Sequence, residues 1–331
     1  MRAAYYDRKG PPGDVLRVGE VVDPEPGPGE VRVRVQVSAV NPSDTKGRGG
    51  WDGNIEMPAP RIVPHQDGAG VIDRVGLGVP PARVGERVWI YEAQRDGRAF
   101  GTAAEFAVVP ARNAAPLPPG IGFDHGACLA IPGMTAHRCL FMDGAIQGQT
   151  VLVAGGAGAV GNAAIQLAAW AGARVIATVS RAEQERAART AGAHAVVNRR
   201  ERDAADRIRQ AAGGAGVDRI VEVAFEENLE LNRAVLKTNG VIASYSSGAA
   251  ESQPRIPFRA VMARGFTMHF VLVYVMPEEA HLKAAQDINA CLAAGRYQPQ
   301  IGKRFPLAQI AQAHVAQESG QVLGKVLVDI E

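Results

Sequence analysis

The segment Val151-Leu152-Val153-Ala154-Gly155-Gly156-Ala157-Gly158-Ala159-Val160-Gly161 constrains the fold more than any other stretch of the chain. A short apolar run ends in a cluster of glycines, and an amphipathic stretch, Asn162 to Ala171, follows at once. Gly156-x-Gly158-x-x-Gly161 has the spacing of a strand-to-helix turn that holds a dinucleotide. Glycine is needed there for the tight turn, for backbone contact with the pyrophosphate, and for packing of the new helix, whose N-terminus faces the phosphates. In a chain with 38 glycines the triplet alone could be a ligand-free turn, so its surroundings decide.

From about Phe123 apolar strands alternate with Ala-rich helical stretches, the signature of a doubly wound parallel α/β sheet. Strands are predicted at Thr150 to Ala154, Arg174 to Val179, Ala195 to Asn198, Arg219 to Val223 and Gly240 to Ser244, with helices starting near Gly158, Ala182, Arg202, Glu227 and Glu279. The glycine turn follows the first of these strands and therefore reads as a nucleotide site. At the tip of the next strand an acid would bond the adenosine ribose of NAD, whereas basic or hydroxyl groups would accept the 2′-phosphate of NADP. Ser180 and Arg181 stand at that tip without an acid, and Arg199 follows the third strand, so NADPH is the expected cofactor.

The first hundred residues have a different texture. Val31, Val33, Val35 and Val37 alternate with Arg32, Arg34 and Gln36, a half-buried strand of period two. Gly68 to Val75, Glu86 to Ile90 and Ala104 to Val109 read as further strands, and Pro24 to Gly29 as a turn, giving an all-β, barrel-like module. Beyond about Ala263 the alternation stops, and Gly324 to Ile330 reads as a strand that could close either domain. The expected domains are 1–122, 123–262 and a C-terminal segment, 263–331.

Composition removes several function classes. A formal charge of +2 in 331 residues gives no electrostatic reason to expect a nucleic-acid partner. Cys128, Cys139 and Cys291 lie far apart, without the paired spacing of a structural zinc site or a disulfide framework, which suits a reducing cytoplasm. The N-terminus lacks the apolar core of a signal peptide, and the longest apolar run, Phe270 to Met276, is too short to span a bilayer. A soluble, cytoplasmic protein is expected.

Six segments in one order carry a resemblance: Val40-Asn41-Pro42-Ser43-Asp44, Asp67-Gly68-Ala69-Gly70-Val71, Gly85-Glu86-Arg87-Val88, Gly101-Thr102-Ala103-Ala104-Glu105-Phe106, Ile131-Pro132-Gly133-Met134-Thr135-Ala136 and the glycine turn. With them the chain resembles, nearly end to end, the medium-chain dehydrogenase/reductase superfamily and, within it, the zeta-crystallin-like NADPH:quinone oxidoreductases. The resemblance implies a Rossmann domain with a GroES-like β-barrel domain, a C-terminal segment returning to the barrel, an active site in the cleft between domains, and a homodimer. It places Thr135, Ala157, Gly158, Ala159, Val160, Gly161, Ser180, Arg199, Asn228, Tyr245, Ser246, Ser247, Gly248, Phe270, Val271 and Leu272 along NADPH, to which the glycine turn adds Gly155 and Gly156 and the strand tip adds Arg181.

Zinc-dependent members carry a cysteine where this chain has Asn41 and a histidine where it has Gln66, so no catalytic metal is expected. Asn41 and Gln66 are instead candidates to hydrogen-bond an acceptor carbonyl, or are buried amides that tie loops together. Lys46, where relatives often have tyrosine, and Trp51 are candidates for the wall of the substrate pocket; Lys46 could hold an anion or point to solvent. The expected reaction is direct hydride transfer from NADPH to a small-molecule electron acceptor, a quinone. The alternatives are reduction of the conjugated double bond of an enone or enal, a non-catalytic NADPH-binding structural protein, and a zinc alcohol dehydrogenase.

Overall fold

The computed structural model describes residues 1–246 and 252–330, and divides into two compact units, Met1–Ile131 with Pro299–Glu331, and Pro132–Gln298. The first unit opens with seven strands: β1 (Arg2–Tyr5), β2 (Arg17–Glu20), β3 (Glu30–Val40), β4 (Asp67–Val75), β5 (Arg87–Ile90), β6 (Phe106–Pro110) and β7 (Ala114–Pro116). The long strand β3 organises it. One edge of β3 pairs with β4, and the other is shared by β6 along its first half and a C-terminal strand along its second. Val31, Val33 and Val35 are buried in the core, as the alternation requires.

Arg32 departs from that alternation. It is buried on the opposite face, where Asp73 accepts from its guanidinium at 2.7 Å and the Phe106 ring lies 4.5 Å away. A buried charge is tolerated because it is paired and hydrogen-bonded.

The second unit holds six strands, β8 (Thr150–Val153), β9 (Arg174–Val179), β10 (Ala195–Asn198), β11 (Val217–Glu222), β12 (Leu236–Ser244) and β13 (Thr267–Phe270). Their order is β10-β9-β8-β11-β12-β13, and all neighbours run parallel. This is the doubly wound sheet the alternation called for, with its winding reversed between β8 and β11. Strands β9 and β10 occupy the predicted residues, whereas β13 was not anticipated. It is four residues long, with no apolar run to mark it.

The units divide at 131/132 and 298/299, against the 122/123 and 262/263 boundaries suggested by texture. Two features explain the difference. The helix Ala130–Phe141 begins before the sheet does, and its His137 Nε2 is bonded to Asp287 Oδ2 at 2.8 Å on the helix Glu278–Ala293. The latter helix therefore stays with the parallel sheet. Only then do β14 (Ile301–Pro306) and β15 (Lys325–Asp329) join the first unit, β15 lying antiparallel to β3 with Val326 opposite Val40. Among the described residues no helix is long and apolar enough to cross a membrane.

Candidate functional site

In the parallel unit the glycine turn joins β8 to the helix Ala159–Trp170 at the reversal of the winding, the place where open α/β sheets bind ligands. Its glycines have different reasons. Gly155 has φ +66°, and a Cβ on Gly161 would lie 2.2 Å from the Gly155 carbonyl oxygen. A Cβ on Gly156 would lie 2.8 Å from Ala177 Cβ. Gly158 is different: it caps the helix in extended conformation, and its nearest neighbour to a Cβ would be the Gly155 oxygen at an ordinary 3.5 Å. The protein itself thus leaves room for a side chain at Gly158. Asn162 makes the first bond of the helix, to Gly158 O at 2.8 Å, so the N–H groups of Ala159, Val160 and Gly161 precede it and form the cradle an anion needs. Ala157 and Thr135 are buried.

At the far end of this cradle, Arg199 N donates to Val179 O at 2.9 Å, which brings Arg199 to the tip of β9 beside Ser180 and Arg181. Gln184 Oε1 accepts from the backbone N–H of Ser180 and Arg181. The guanidinium groups pair with Glu183 at 3.2 Å and Glu227 at 3.3 Å, both exposed carboxylates of the kind that bind weakly and yield readily to a phosphate. These residues fit a 2′-phosphate. Asn228 is committed elsewhere: its amide donates at 2.9 Å to Glu222, which also accepts from Ala224 N and Asn232.

A cavity of about 350 Å³ opens along the ends of β12 and β13, lined by Phe225, Ser244, Tyr245, Ser246, Pro254, Phe270, Val271 and Leu272. It collects five of the expected cofactor residues. Ser247 and Gly248 lie outside the described residues. Phe225, which nothing in the sequence singled out, meets Phe270 edge-on at 5.8 Å between centroids.

In the β unit, strand register assembles a second cluster. Val326 opposite Val40 and Asp67 opposite Ala39 place Lys325, Asn41 and Asp67 at the ends of three adjacent strands. The buried Lys325 ammonium donates to Asn41 Oδ1 and, at 2.9 Å, to Asp67 Oδ2. Asn41 begins the helix Pro42–Gly49, and its backbone N–H donates to Asp44 Oδ2 at 2.7 Å. In this cluster, among the described residues, the buried Asn41 Nδ2, Asp44 Oδ1 and Gln66 Oε1 have no hydrogen-bond partner. Gln66 Nε2 donates to Gln94 O at 2.9 Å, so that amide ties two loops while its oxygen stays free. Lys46 and Trp51 are exposed and meet as a cation–π pair, 4.9 Å from ammonium to ring centre.

His65 belongs to an ordered chain of hydrogen bonds. Thr102 Oγ1 donates to Asp67 O, so Ser38 Oγ must donate to Thr102, and His65 Nδ1 must donate to Ser38. His65 Nε2 is then an acceptor, to which His314 Nε2 donates at 2.9 Å, and His314 Nδ1 accepts from Arg48. Both histidines are neutral. Burial holds His65 well below its ordinary value, and burial with the nearby Arg48 charge holds His314 down to about 3.

Burial, and then the charge of Asp67, push the Asp44 carboxyl up to about 7 from 3.8. Between about pH 4 and pH 7 the folded chain therefore keeps a proton that the unfolded chain has released. Asp44's contribution to stability declines as pH rises through that window, by at most about 1.4 kcal/mol per pH unit, and is flat above it. Asp44→Asn removes this titration. The stability of the variant relative to the parent is expected to rise between pH 5 and pH 7 in urea melts; a constant difference would contradict the assignment.

A GroES-like β unit and a doubly wound sheet with a glycine turn at its switch point define the medium-chain dehydrogenase/reductase class. Residues 27–119 match the alcohol dehydrogenase GroES-like domain, and 159–287 match the zinc-binding dehydrogenase domain. The chain is 33% identical to quinone oxidoreductase of Rattus norvegicus over 99% of its own length and 97% of the relative's. It is 29% identical to 2-haloacrylate reductase of Burkholderia sp, over 99% and 98%. Among solved structures it matches an NAD-dependent alcohol dehydrogenase with TM-score 0.88 at 30% identity, over the whole of both chains. It also matches a mycobacterial protein complexed with NADPH, with TM-score 0.84 at 28% identity over 99% of both. The chain belongs to the zeta-crystallin-like quinone oxidoreductase family of the medium-chain dehydrogenase/reductase superfamily. Among the described residues no group of three or more His, Cys, Asp or Glu side chains could hold a metal ion.

Proposed function

We propose that this chain is a zinc-independent, NADPH-dependent oxidoreductase that passes a hydride to a quinone. The observation that carries the cofactor half is the tip of β9, where the strand runs into Ser180 and Arg181 with no acid at its end and Arg199 converges on them, the two arginines paired with the exposed Glu183 and Glu227. NADPH, when bound, supplies the hydride from carbon 4 of its nicotinamide. The N–H groups of Ala159 to Gly161 hold the pyrophosphate, and Arg181 and Arg199 hold the 2′-phosphate. Asn41 is the side chain proposed to hydrogen-bond the acceptor oxygen as it gains negative charge, which requires its buried Nδ2 to be uncovered.

NADPH is expected to bind at least tenfold more tightly than NADH, a difference of about 1.4 kcal/mol, and Arg181→Ala with Arg199→Ala to close most of that gap. Calorimetric titration measures both, and equal affinities in the parent would overturn the assignment. The quinone half rests on the end-to-end likeness to quinone oxidoreductases. Similarity to 2-haloacrylate reductase favours a second reading, in which the same hydride reduces a conjugated carbon–carbon double bond. NADPH oxidation compared across quinones, enones, enals and simple aldehydes separates the two. The highest kcat/KM is expected with a quinone, and a higher value with an enone or enal would select the second reading.

A further inference from the structure

Strand register sets three residues in a row at the end of the parallel sheet: Glu222 on β11 lies opposite Ser244 on β12, and Ser244 opposite Phe270 on β13. Ser244 and Phe270 line the cavity. Glu222 stands behind its wall with no exposed surface, and its backbone oxygen accepts from the N–H of Tyr245, another lining residue, at 3.0 Å. Its carboxyl accepts at both oxygens, Oε1 from Ala224 N at 2.6 Å and Asn228 Nδ2 at 2.9 Å, Oε2 from Asn232 Nδ2 at 2.6 Å. Every partner is an N–H donor, the company a carboxylate keeps, and none is a cation. Among the described residues Glu222 has no ion-pair partner, whereas the buried Arg32, Arg48 and Lys325 all face carboxylates.

A buried net charge is unfavourable, and a glutamine would satisfy the same donors once Asn232 turned its amide over, so hydrogen bonding alone does not call for a charge here. The direction of the dinucleotide does. Arg181 and Arg199 at the tip of β9 mark its 2′-phosphate end and the cradle after β8 its pyrophosphate, so along the order β9-β8-β11-β12 the nicotinamide end falls over β11 and β12. Glu222 and the cavity stand there. We propose that the Glu222 carboxylate sets the hydride-giving strength of the bound cofactor: its charge, fixed behind the cavity wall, favours the positive nicotinamide ring of NADP+ over the neutral ring of NADPH. This rests on the reading of the cavity as part of the NADPH site. When the bond from carbon 4 to its hydrogen breaks, both electrons leave with the hydride for the acceptor, which then takes a proton from water, and the ring keeps one positive charge. A fixed negative charge stabilises that ring as the charge develops. Phe225, Phe270, Val271 and Leu272 make much of the wall apolar, and apolar groups screen a charge far less than water does.

Calorimetric titration of NADP+ and of NADPH into the full-length parent and Glu222→Gln tests this, because general damage to the site weakens both nucleotides and cancels in the ratio of their dissociation constants. In Glu222→Gln the Kd of NADP+ is expected to rise about tenfold more than that of NADPH. Glu222→Asp keeps the charge and is expected to hold the ratio within about twofold of the parent, even where both affinities fall. Equal changes in the two constants of Glu222→Gln, or a larger loss of NADPH, would overturn the inference and leave Glu222 a scaffold residue. A parent that binds neither nucleotide would sink the reading of the site and this inference with it. Should Glu222→Gln fail to fold, Asn232→Lys leaves the carboxylate in place and gives it the cation it lacks. The ratio is then expected to move about threefold or more in the same direction, and an unmoved ratio would overturn the inference.

Discussion

Gly158→Val is expected to fold with a melting temperature within a few degrees of the parent and to bind NADPH at least a hundredfold more weakly, about 2.7 kcal/mol. Space around Gly158 decides this. At Gly158 the backbone is extended, with φ −76° and ψ 164°, where a β-branched residue is at home, and the nearest atom to a new Cβ lies 3.5 Å away. The side chain would occupy the approach a pyrophosphate needs. Gly161→Val is the opposing control: its Cβ would sit 2.2 Å from the Gly155 carbonyl oxygen, so turn and helix must part and the variant should lose its fold. Thermal melts and calorimetry on the two variants separate a glycine kept for the ligand from one kept for packing. Parent-like NADPH affinity in a folded Gly158→Val would reduce the turn to a structural element.

Asn41→Ala is expected to lower turnover with the favoured acceptor about a hundredfold, the usual cost of losing one donor to a developing oxyanion. NADPH affinity should not change. Stability should change little, because two effects oppose each other: the variant loses the hydrogen bond from Lys325, and it also loses the unpartnered Nδ2. Lys325 keeps Asp67 as its counter-ion. Unchanged turnover with a clearly lowered melting temperature would assign Asn41 to the scaffold and direct attention to Gln66 Oε1, Lys46 and Trp51.

Some of this was legible in the sequence and some could not have been. The ends of β9 and β10 were readable because each is a short apolar run bounded by residues that favour turns and helix starts. The glycine turn was readable as a pattern, yet the letters alone do not say that Gly161 is needed for packing and Gly158 is not. That difference appears only when neighbouring atoms are in place. Lys325 was read merely as part of a closing strand, since nothing local marks a lysine as buried. Its place is set by the pairing of β15 with β3, and so by contacts spanning most of the chain. His314 escaped for the same reason, sitting on a short C-terminal helix whose role emerges when Arg48 and His65 are brought against it. Arg32 shows the converse limit: period-two alternation names the core face correctly and says nothing about a paired charge covered on the other.

The central claim is that the chain binds NADPH and spends its hydride on an acceptor. Anaerobic mixing of purified protein and NADPH with a benzoquinone, followed by absorbance and product analysis, tests it most directly. The account predicts sustained turnover, with one hydroquinone formed for each NADPH consumed. NADPH that binds tightly yet is consumed no faster than without the protein, whichever quinone, enone or enal is supplied, would contradict it and leave a cofactor-binding protein that is not an enzyme.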